Sequence, residues 1–223
     1  MKKIVLTMCV LLCTMGMTAQ EFSVGADVVS SYVWRGAYQG GGAGIQPSVS
    51  FSNGGFSLGT WGSSNFSGGN KEVDFSIGYQ IAGFSLTVTD YWWEGEGALN
   101  YFNYGDTHHF EAGLAYTLPG SFPFNLSWNT MFAGSDPNSE SKRAYSTYIT
   151  ASYPFTVKEV NLEAAIGITP WDGMFADKFT VPSVSLKAAK EVKITDSFSL
   201  PLFGQIIVNP DREDIFFVFG ISF

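Results

Sequence analysis

Apolar side chains recur at every second position along most of this sequence, with polar or small residues between them. In the stretch 72–81, large apolar residues at the odd positions alternate with acidic, amide and small residues at the even ones. The stretches 160–169 and 214–223 repeat the pattern, and in the second of these every odd position holds Ile or Phe. A period of two is typical of β-strands and not of amphipathic helices. The sequence therefore predicts an all-β fold.

About twelve such strands fit the chain after its first twenty residues. They are expected near 22–34, 44–52, 55–63, 72–81, 83–93, 109–118, 122–133, 143–153, 159–169, 179–189, 198–208 and 214–223. Consecutive amphipathic strands joined by turns predict an antiparallel up-and-down β-barrel. Ten or fourteen strands are alternatives, and a β-sandwich is the soluble alternative for the final strand. The alternation changes phase near Pro182, where a β-bulge would restore it.

The composition favours a barrel that lies in a membrane. Charged residues make up only 14% of the chain and hydrophobic residues 45%, whereas a soluble domain carries about 25% charged residues. After the amino-terminal segment, no stretch has the roughly 18 consecutive apolar residues of a membrane-spanning helix. An apolar surface spread thinly over many strands predicts a transmembrane β-barrel, apolar outside and polar inside. In lipid, closing the barrel gives every backbone group a partner.

The connections alternate in length if the first strand runs outward from the periplasm. The inner ones are short, at 52–54, 81–83, 118–121 and 154–158, with 191–197 as a longer exception. The outer ones are longer, at 35–43, 64–71, 94–108, 134–142, 170–178 and 209–213. Short periplasmic turns and long external loops are typical of outer-membrane barrels. Five tryptophans at predicted outer strand ends indicate an aromatic girdle: Trp34, Trp61, Trp92, Trp93 and Trp171.

The amino end has the layout of a secretory signal. Lys2 and Lys3 precede an apolar run, and Met17-Thr18-Ala19 offers a cleavage site. We therefore expect a signal peptide at 1–20 and a single barrel domain at 21–223. Both cysteines, Cys9 and Cys13, fall in the signal, so no disulfide is expected in the mature chain. The acidic balance, a net charge of −8, argues against a nucleic-acid partner, which requires a basic face.

Several short motifs in the amino-terminal half occur together in a known order. Ser30-Ser31-Tyr32-Val33-Trp34-Arg35-Gly36 is followed by Ile45-Gln46-Pro47, Gly59-Thr60-Trp61-Gly62-Ser63 and Glu72-Val73-Asp74. This ordered set, over about 24–80, resembles the TorF-type porin family of bacterial outer-membrane β-barrels. The resemblance implies an outer-membrane barrel with a porin role and brings no catalytic residues. The final strand, ending in Phe223, is similar to the closing strand of such barrels, which implies recognition by the barrel-assembly machinery.

If the apolar residues face lipid, the intervening residues line the lumen. The pore-lining candidates that carry charge or an amide are Asp27, Asp74, Glu111, Glu163, Lys187 and Gln205, with Arg35 at the outer rim. Acidic residues in a pore favour cations, so we expect a weak cation preference. Arg35 is expected to contact an acid at the rim or in the lumen, with Asp74 as a candidate. The alternative is that Arg35 is a solvated charge above the aromatic belt.

The sequence is best explained by a passive porin-like channel for small solutes or ions in the bacterial outer membrane. Its partners are then membrane lipid and lipopolysaccharide, with the oligomeric state left open. The main alternative is a plugged barrel with a structural role or a binding role at its surface loops, among which 94–108 is rich in aromatic and acidic residues. A lipid-modifying enzyme is a weaker alternative. The two histidines, His108 and His109, are expected to be solvated loop residues, and no catalytic residue, cofactor or metal site is predicted.

Overall fold

The computed structural model describes residues 20–68, 71–93, 101–105, 107–196 and 198–223. The predicted signal peptide lies outside the described residues apart from Gln20, and so does most of the loop after the fifth predicted strand. Where the chain is described, none of it forms a helix long and apolar enough to cross a membrane.

Twelve long strands form one closed sheet. They are β1 (Glu21–Val29), β4 (Gly44–Asn53), β5 (Phe56–Asn65), β6 (Lys71–Ile81), β7 (Phe84–Trp93), β8 (His108–Thr117), β9 (Asn125–Ala133), β10 (Thr147–Val157), β11 (Val160–Thr169), β12 (Thr180–Thr195), β13 (Phe198–Asn209) and β14 (Asp214–Ser222). Each pairs antiparallel with its neighbours in the chain, and β14 pairs with β1 to close the barrel. The predicted twelve-stranded up-and-down barrel is confirmed.

The period of two separates an outer wall from a lumen. On β14 the odd positions point outward, and Phe217 and Phe219 are 63% and 59% exposed, whereas Val218 between them is only 6% exposed. Most of the buried hydrophobic residues lie at inward positions of the strands, namely Val29, Met131, Tyr148, Ile207 and Val218. Trp92 is an exception, since it is buried on the outward face of β7. The apolar core of this protein therefore lies inside the barrel, and most large apolar side chains cover its outside.

The first predicted strand is wrong in its second half. Strand β1 ends at Val29, and the next residues form a separate two-stranded hairpin of β2 (Val33–Trp34) and β3 (Ala37–Tyr38). We call β2, β3 and their turn the internal hairpin, and the end of the barrel that carries it the hairpin end. The opposite end, where β1 begins, is the far end.

Three other expectations about the strands are settled by the pairing. The bulge near Pro182 is confirmed, since the register between β11 and β12 shifts between the pairs Gly167–Ser183 and Thr169–Thr180. The long connection at 191–197 is wrong, because β12 continues to Thr195 and β13 begins at Phe198. The predicted strand at 143–153 lies further along the chain, at Thr147–Val157.

The predicted tryptophan girdle is wrong for Trp34, Trp61 and Trp93, whose side chains lie inside the barrel and not on its outer wall. Trp34 belongs to the internal hairpin, and its ring contacts the ring of Trp93 at 5.8 Å. Trp61 lies opposite Asp74 on the inward face, with its ring 5.4 Å from that of Tyr32. The rings of Trp61 and Trp93 pack on Tyr32 and Trp34 inside the lumen, which the alternation of the strands alone does not reveal.

Candidate functional site inside the barrel

The internal hairpin turns through two residues with positive φ, Arg35 (51°) and Gly36 (79°), between the paired residues Trp34 and Ala37. A two-residue turn of this kind suits the twist of a short hairpin. Gly36 is required for a second reason, because a Cβ there would overlap the carbonyl oxygen of Pro182 on β12. The tip of the hairpin is thus packed directly against the inner wall of the barrel.

The hairpin spans the lumen from one wall to the other. On one side the ring of Trp34 lies 5.7 Å from that of Tyr91 on β7. On the other side Asn209 of β13 donates a hydrogen bond from Nδ2 to the carbonyl oxygen of Gly36, at 3.0 Å. Strands β7 and β13 are six apart in the closed order of twelve and therefore face each other. The hairpin consequently lies across the lumen.

Arg35 forms a buried ion pair with Glu111 of β8. Its two terminal nitrogens donate to the two carboxylate oxygens at 2.6 and 2.9 Å, and the Tyr91 hydroxyl donates to the same carboxylate at 3.0 Å. The two side chains are only 9% and 5% exposed. The bidentate geometry offsets part of the cost of removing both charges from water.

Three aromatic rings surround the same guanidinium group. The Cζ atom of Arg35 lies 4.5 Å from the ring centre of Trp34, 4.8 Å from that of Tyr148 and 4.7 Å from that of Phe175. Such rings attract a cation through their negative faces. Together with Glu111 and Tyr91 they form what we call the guanidinium site. The predicted contact of Arg35 with an acid is confirmed, the acid is Glu111 rather than Asp74, and the solvated alternative is wrong.

A second acidic group lies beside the hairpin on β6. Glu72 is buried and accepts a hydrogen bond from Trp93 Nε1 at 2.8 Å. Tyr32 and Glu72 line the same cavity. Asp74 lies on the same inward face, and its Oδ1 atom is buried without a hydrogen-bond partner among the described residues. Sequence reasoning placed Asp74 in the lumen but missed Glu72, although both belong to the motif Glu72-Val73-Asp74.

Two cavities flank the hairpin near the mouth. One, of about 280 Å³, is lined by Trp34, Arg35, Ala37, Gln39, Trp93, Met174, Phe175, Asn209 and Arg212. The other, of about 220 Å³, is lined by Tyr32, Gln39, Ser63, Asn65, Lys71, Glu72 and Trp93. Gln39 and Trp93 border both. The first cavity reaches the guanidinium site, since Arg35 and Phe175 form part of its wall.

The other predicted lumen residues occupy inward positions but do not join the guanidinium site. Lys187 lies opposite Glu163 on one side and Gln205 on the other. Its ammonium group lies 4.6 Å from the ring centre of Phe203. Asp27 is placed between Ser222 and Gln46. Of the predicted residues, the structure therefore brings Arg35 and Glu111 together. It adds Tyr91, Tyr148 and Phe175, which no motif in the sequence marked as site residues.

The prediction that the two histidines are solvated is wrong. His108 is fully buried on the outward face, where its ring contacts the carboxylate of Asp90 at 2.7 Å through Nδ1 and the carbonyl oxygen of Tyr101 through Nε2. His109 points inward and packs on Trp93, with ring centres 4.2 Å apart. Burial arises because Tyr101 and Tyr104 cover His108 and because His109 lies under the lumen aromatics. Within the described part of the chain, no group of three potential metal ligands lies together.

The fold and this site define a closed β-barrel that carries an internal hairpin anchored by a buried arginine. Comparison with protein families identifies the group. A family profile described as "Bacterial protein of unknown function (Gcw_chp)" matches residues 14–198, and the chain belongs to this family. Comparison with curated proteins gives no match.

Proposed function

We propose that the protein is a porin-like channel of the bacterial outer membrane whose lumen is narrowed by the internal hairpin. The outer wall supports the location. Large apolar side chains are exposed around the barrel, from Phe22 on β1 to Phe219 on β14. Soluble monomers rarely expose an apolar surface of this extent to water. A bilayer covers such a surface, and a closed barrel pairs its own backbone hydrogen-bonding groups.

The observation that carries the channel proposal is the contrast between the two halves of the lumen. The hairpin end is filled by the guanidinium site and its buried surroundings. At the far end the inward residues Ser23, Ser50, Gln80 and Glu163 are exposed, and all are polar. An exposed polar lining is suited to water. The far half of the lumen is therefore a solvated vestibule. It ends at the internal hairpin and not at side chains of the barrel wall.

The strand number and the resemblance support the same proposal. Barrels of eight strands are filled by their own side chains, and those of sixteen hold an open channel. A twelve-stranded barrel is intermediate, so one hairpin suffices to narrow its lumen. The similarity of the motifs at 24–80 to TorF-type porins implies a porin role, with Arg35, Glu72 and Asp74 in the motifs now found at the hairpin end.

The charges favour a weak cation preference. Arg35 neutralises Glu111, and Lys187 lies opposite Glu163. Asp27, Glu72 and Asp74 are further acidic groups of the lumen among the described residues, and acidic groups favour cations. Reversal potentials across a bilayer in asymmetric salt measure the preference, and a reversal potential that indicates anion flow overturns it.

Removal of the hairpin tests the channel. Val29 and Gly44 are direct partners on β1 and β4, so residues 30–43 can be replaced by Asn-Gly with the barrel retained. A control shortens a loop outside the lumen, replacing 138–142 by Asn-Gly above the bridge between Pro137 and Arg143. We expect small single-channel steps from the wild type and the control, and larger steps from the hairpin deletion. Folded barrels that never conduct, with or without the hairpin, overturn the proposal.

A plugged barrel is the second candidate, favoured by the burial of Arg35 and Glu111 at 9% and 5% exposure. It predicts a silent wild type and a conducting hairpin deletion, whereas a channel conducts in both forms. For catalysis the geometry offers little support. The described partners of His108 are a carboxylate and a backbone carbonyl, so both ring nitrogens are engaged. A non-enzymatic role is thus part of the proposal.

A further inference from the structure

The guanidinium site has the chemistry of a receptor whose ligand is the chain's own arginine. A carboxylate receives both terminal nitrogens, a tyrosine hydroxyl holds that carboxylate from the side, and aromatic rings lie against the planar cation. We propose that Glu111, Tyr91, Tyr148 and Phe175 form a binding site for guanidinium-bearing solutes, which Arg35 fills while the hairpin is in place. Because guanidinium-bearing solutes are then the substrate class of the channel, this inference rests on the proposed function.

The geometry selects a guanidinium over an ammonium group. The two donated bonds, at 2.6 and 2.9 Å, run from two nitrogens of one plane to two oxygens of one carboxylate. A guanidinium has this planar fork, whereas an ammonium is a point charge with tetrahedral donors. The plane also packs on aromatic faces, and the rings of Tyr148 and Phe175 lie within 4.8 Å of the Arg35 Cζ atom.

Apart from Trp34, the residues of the guanidinium site belong to the wall strands and to the loop after β11, and removal of the hairpin leaves them in the chain. Tyr91, Glu111 and Tyr148 are inward residues of β7, β8 and β10. Phe175 follows β11 and packs on Tyr148 with ring centres 5.7 Å apart. A carboxylate as buried as Glu111 is costly to leave without a cation. When Arg35 withdraws, a solute with the same head group can replace it, and the adjoining cavity of about 280 Å³ provides the approach from the hairpin end.

Chemical rescue of a truncated arginine tests the site. Arg35→Ala removes the resident guanidinium and leaves the wall groups. Ethylguanidinium is titrated at millimolar concentration, well below the denaturing range of guanidinium salts, with binding followed by calorimetry and the melting temperature. We expect saturable binding and a rising melting temperature for Arg35→Ala. Ethylammonium, which has the same charge, should bind about tenfold more weakly because it lacks the fork.

Two variants serve as controls. Arg35→Ala combined with Glu111→Gln should lose the binding, since the carboxylate is gone. Arg143→Ala removes a surface arginine that donates to the Gly134 carbonyl, and it should gain no ethylguanidinium binding. If Arg35→Ala does not fold, the 30–43 replacement exposes the same wall groups for the same titration. A folded protein with no saturable binding, or equal binding after Glu111→Gln, overturns the inference.

The binding test is independent of conductance. Rescue by ethylguanidinium together with silent bilayers overturns the channel and retains the site. Conductance without rescue overturns the site and retains the channel.

Discussion

Gly36 is the residue at which the internal hairpin approaches the barrel wall most closely. Gly36→Ala places a methyl group against the Pro182 carbonyl in addition to the cost of positive φ. Gly42→Ala is the matched control, because Gly42 also has positive φ (67°) but has no atom within 4 Å of the added Cβ. We expect Gly36→Ala to lower the unfolding free energy by about 1–3 kcal/mol more than Gly42→Ala. Denaturant unfolding followed by tryptophan fluorescence measures the difference, and equal losses contradict the docked hairpin.

Glu111 provides a test of the buried ion pair itself. Glu111→Gln leaves the Arg35 guanidinium buried without its carboxylate, and breaking such a pair costs about 3–5 kcal/mol of stability. Arg35→Gln in the same chain removes the stranded charge, so the double variant should be more stable than the sum of the single losses predicts. Unfolding free energies of the four proteins give the coupling energy. Additive losses would show that the two side chains do not interact.

The wall strands and the internal hairpin differ in how far the sequence reveals them. Alternation identified the twelve wall strands because each strand has lipid-side and lumen-side positions that repeat every two residues. It also identified the bulge near Pro182, because a bulge shifts that repeat by one. It failed from Tyr32 to Trp34, whose apolar side chains continue the pattern of β1 although they pack inside the lumen. Arg35-Gly36 was the available signal, since a glycine after a strand permits a two-residue turn.

The site was harder to predict than the strands for a related reason. Glu111 was recognised as an inward acid, but pairing it with Arg35 requires knowing that a hairpin reaches from β1 to β8 across the lumen, 76 residues along the chain. The ring contacts from Tyr148 and Phe175 likewise depend on closure of the barrel. Such contacts depend on the tertiary structure, and the two-residue alternation along the chain carries no information about them.

The loops that follow β9 and β11 are joined by the carboxylate of Asp172, in addition to hydrogen bonds that Trp171 and Met174 donate. Asp172 accepts hydrogen bonds from the hydroxyl and, at 2.9 Å, the amide of Ser139. The hydrogen bond from the Ser139 hydroxyl, and after it the one from the Ser139 amide, hold the pKa of Asp172 below its usual value. A lowered pKa in the folded state stabilises the link above the unfolded value of about 3.9, and this stabilisation is lost as the pH falls through the folded pKa.

Hydrogen exchange at single amides measures this dependence. We expect the protection of the Ser139 amide to decrease on acidification below about pH 4, the region of the carboxyl pKa, and to be weak at every pH in Asp172→Asn. The amide of Lys142 is an internal control in the same loop, since it donates at 2.9 Å to Asn138 Oδ1, which does not titrate. Parallel loss at both amides would indicate opening of the whole loop and contradict a role for Asp172.

Adjacent residues of one strand face opposite sides of the barrel wall, one outward and one toward the lumen. A pair of substitutions at such positions therefore tests the membrane location. On β13, Ile206 points outward and is 46% exposed, while Gln205 points inward between Lys187 and Val218. In a bilayer, Ile206→Arg places a charge in lipid and costs about 2–4 kcal/mol near the midplane. Gln205→Arg faces the aqueous vestibule and should cost much less. A barrel surrounded by water predicts the reverse order, because an outward arginine would be solvated and an inward one crowded beside Lys187. Unfolding free energies of both variants in lipid vesicles, relative to the wild type, therefore decide which side of the wall faces lipid.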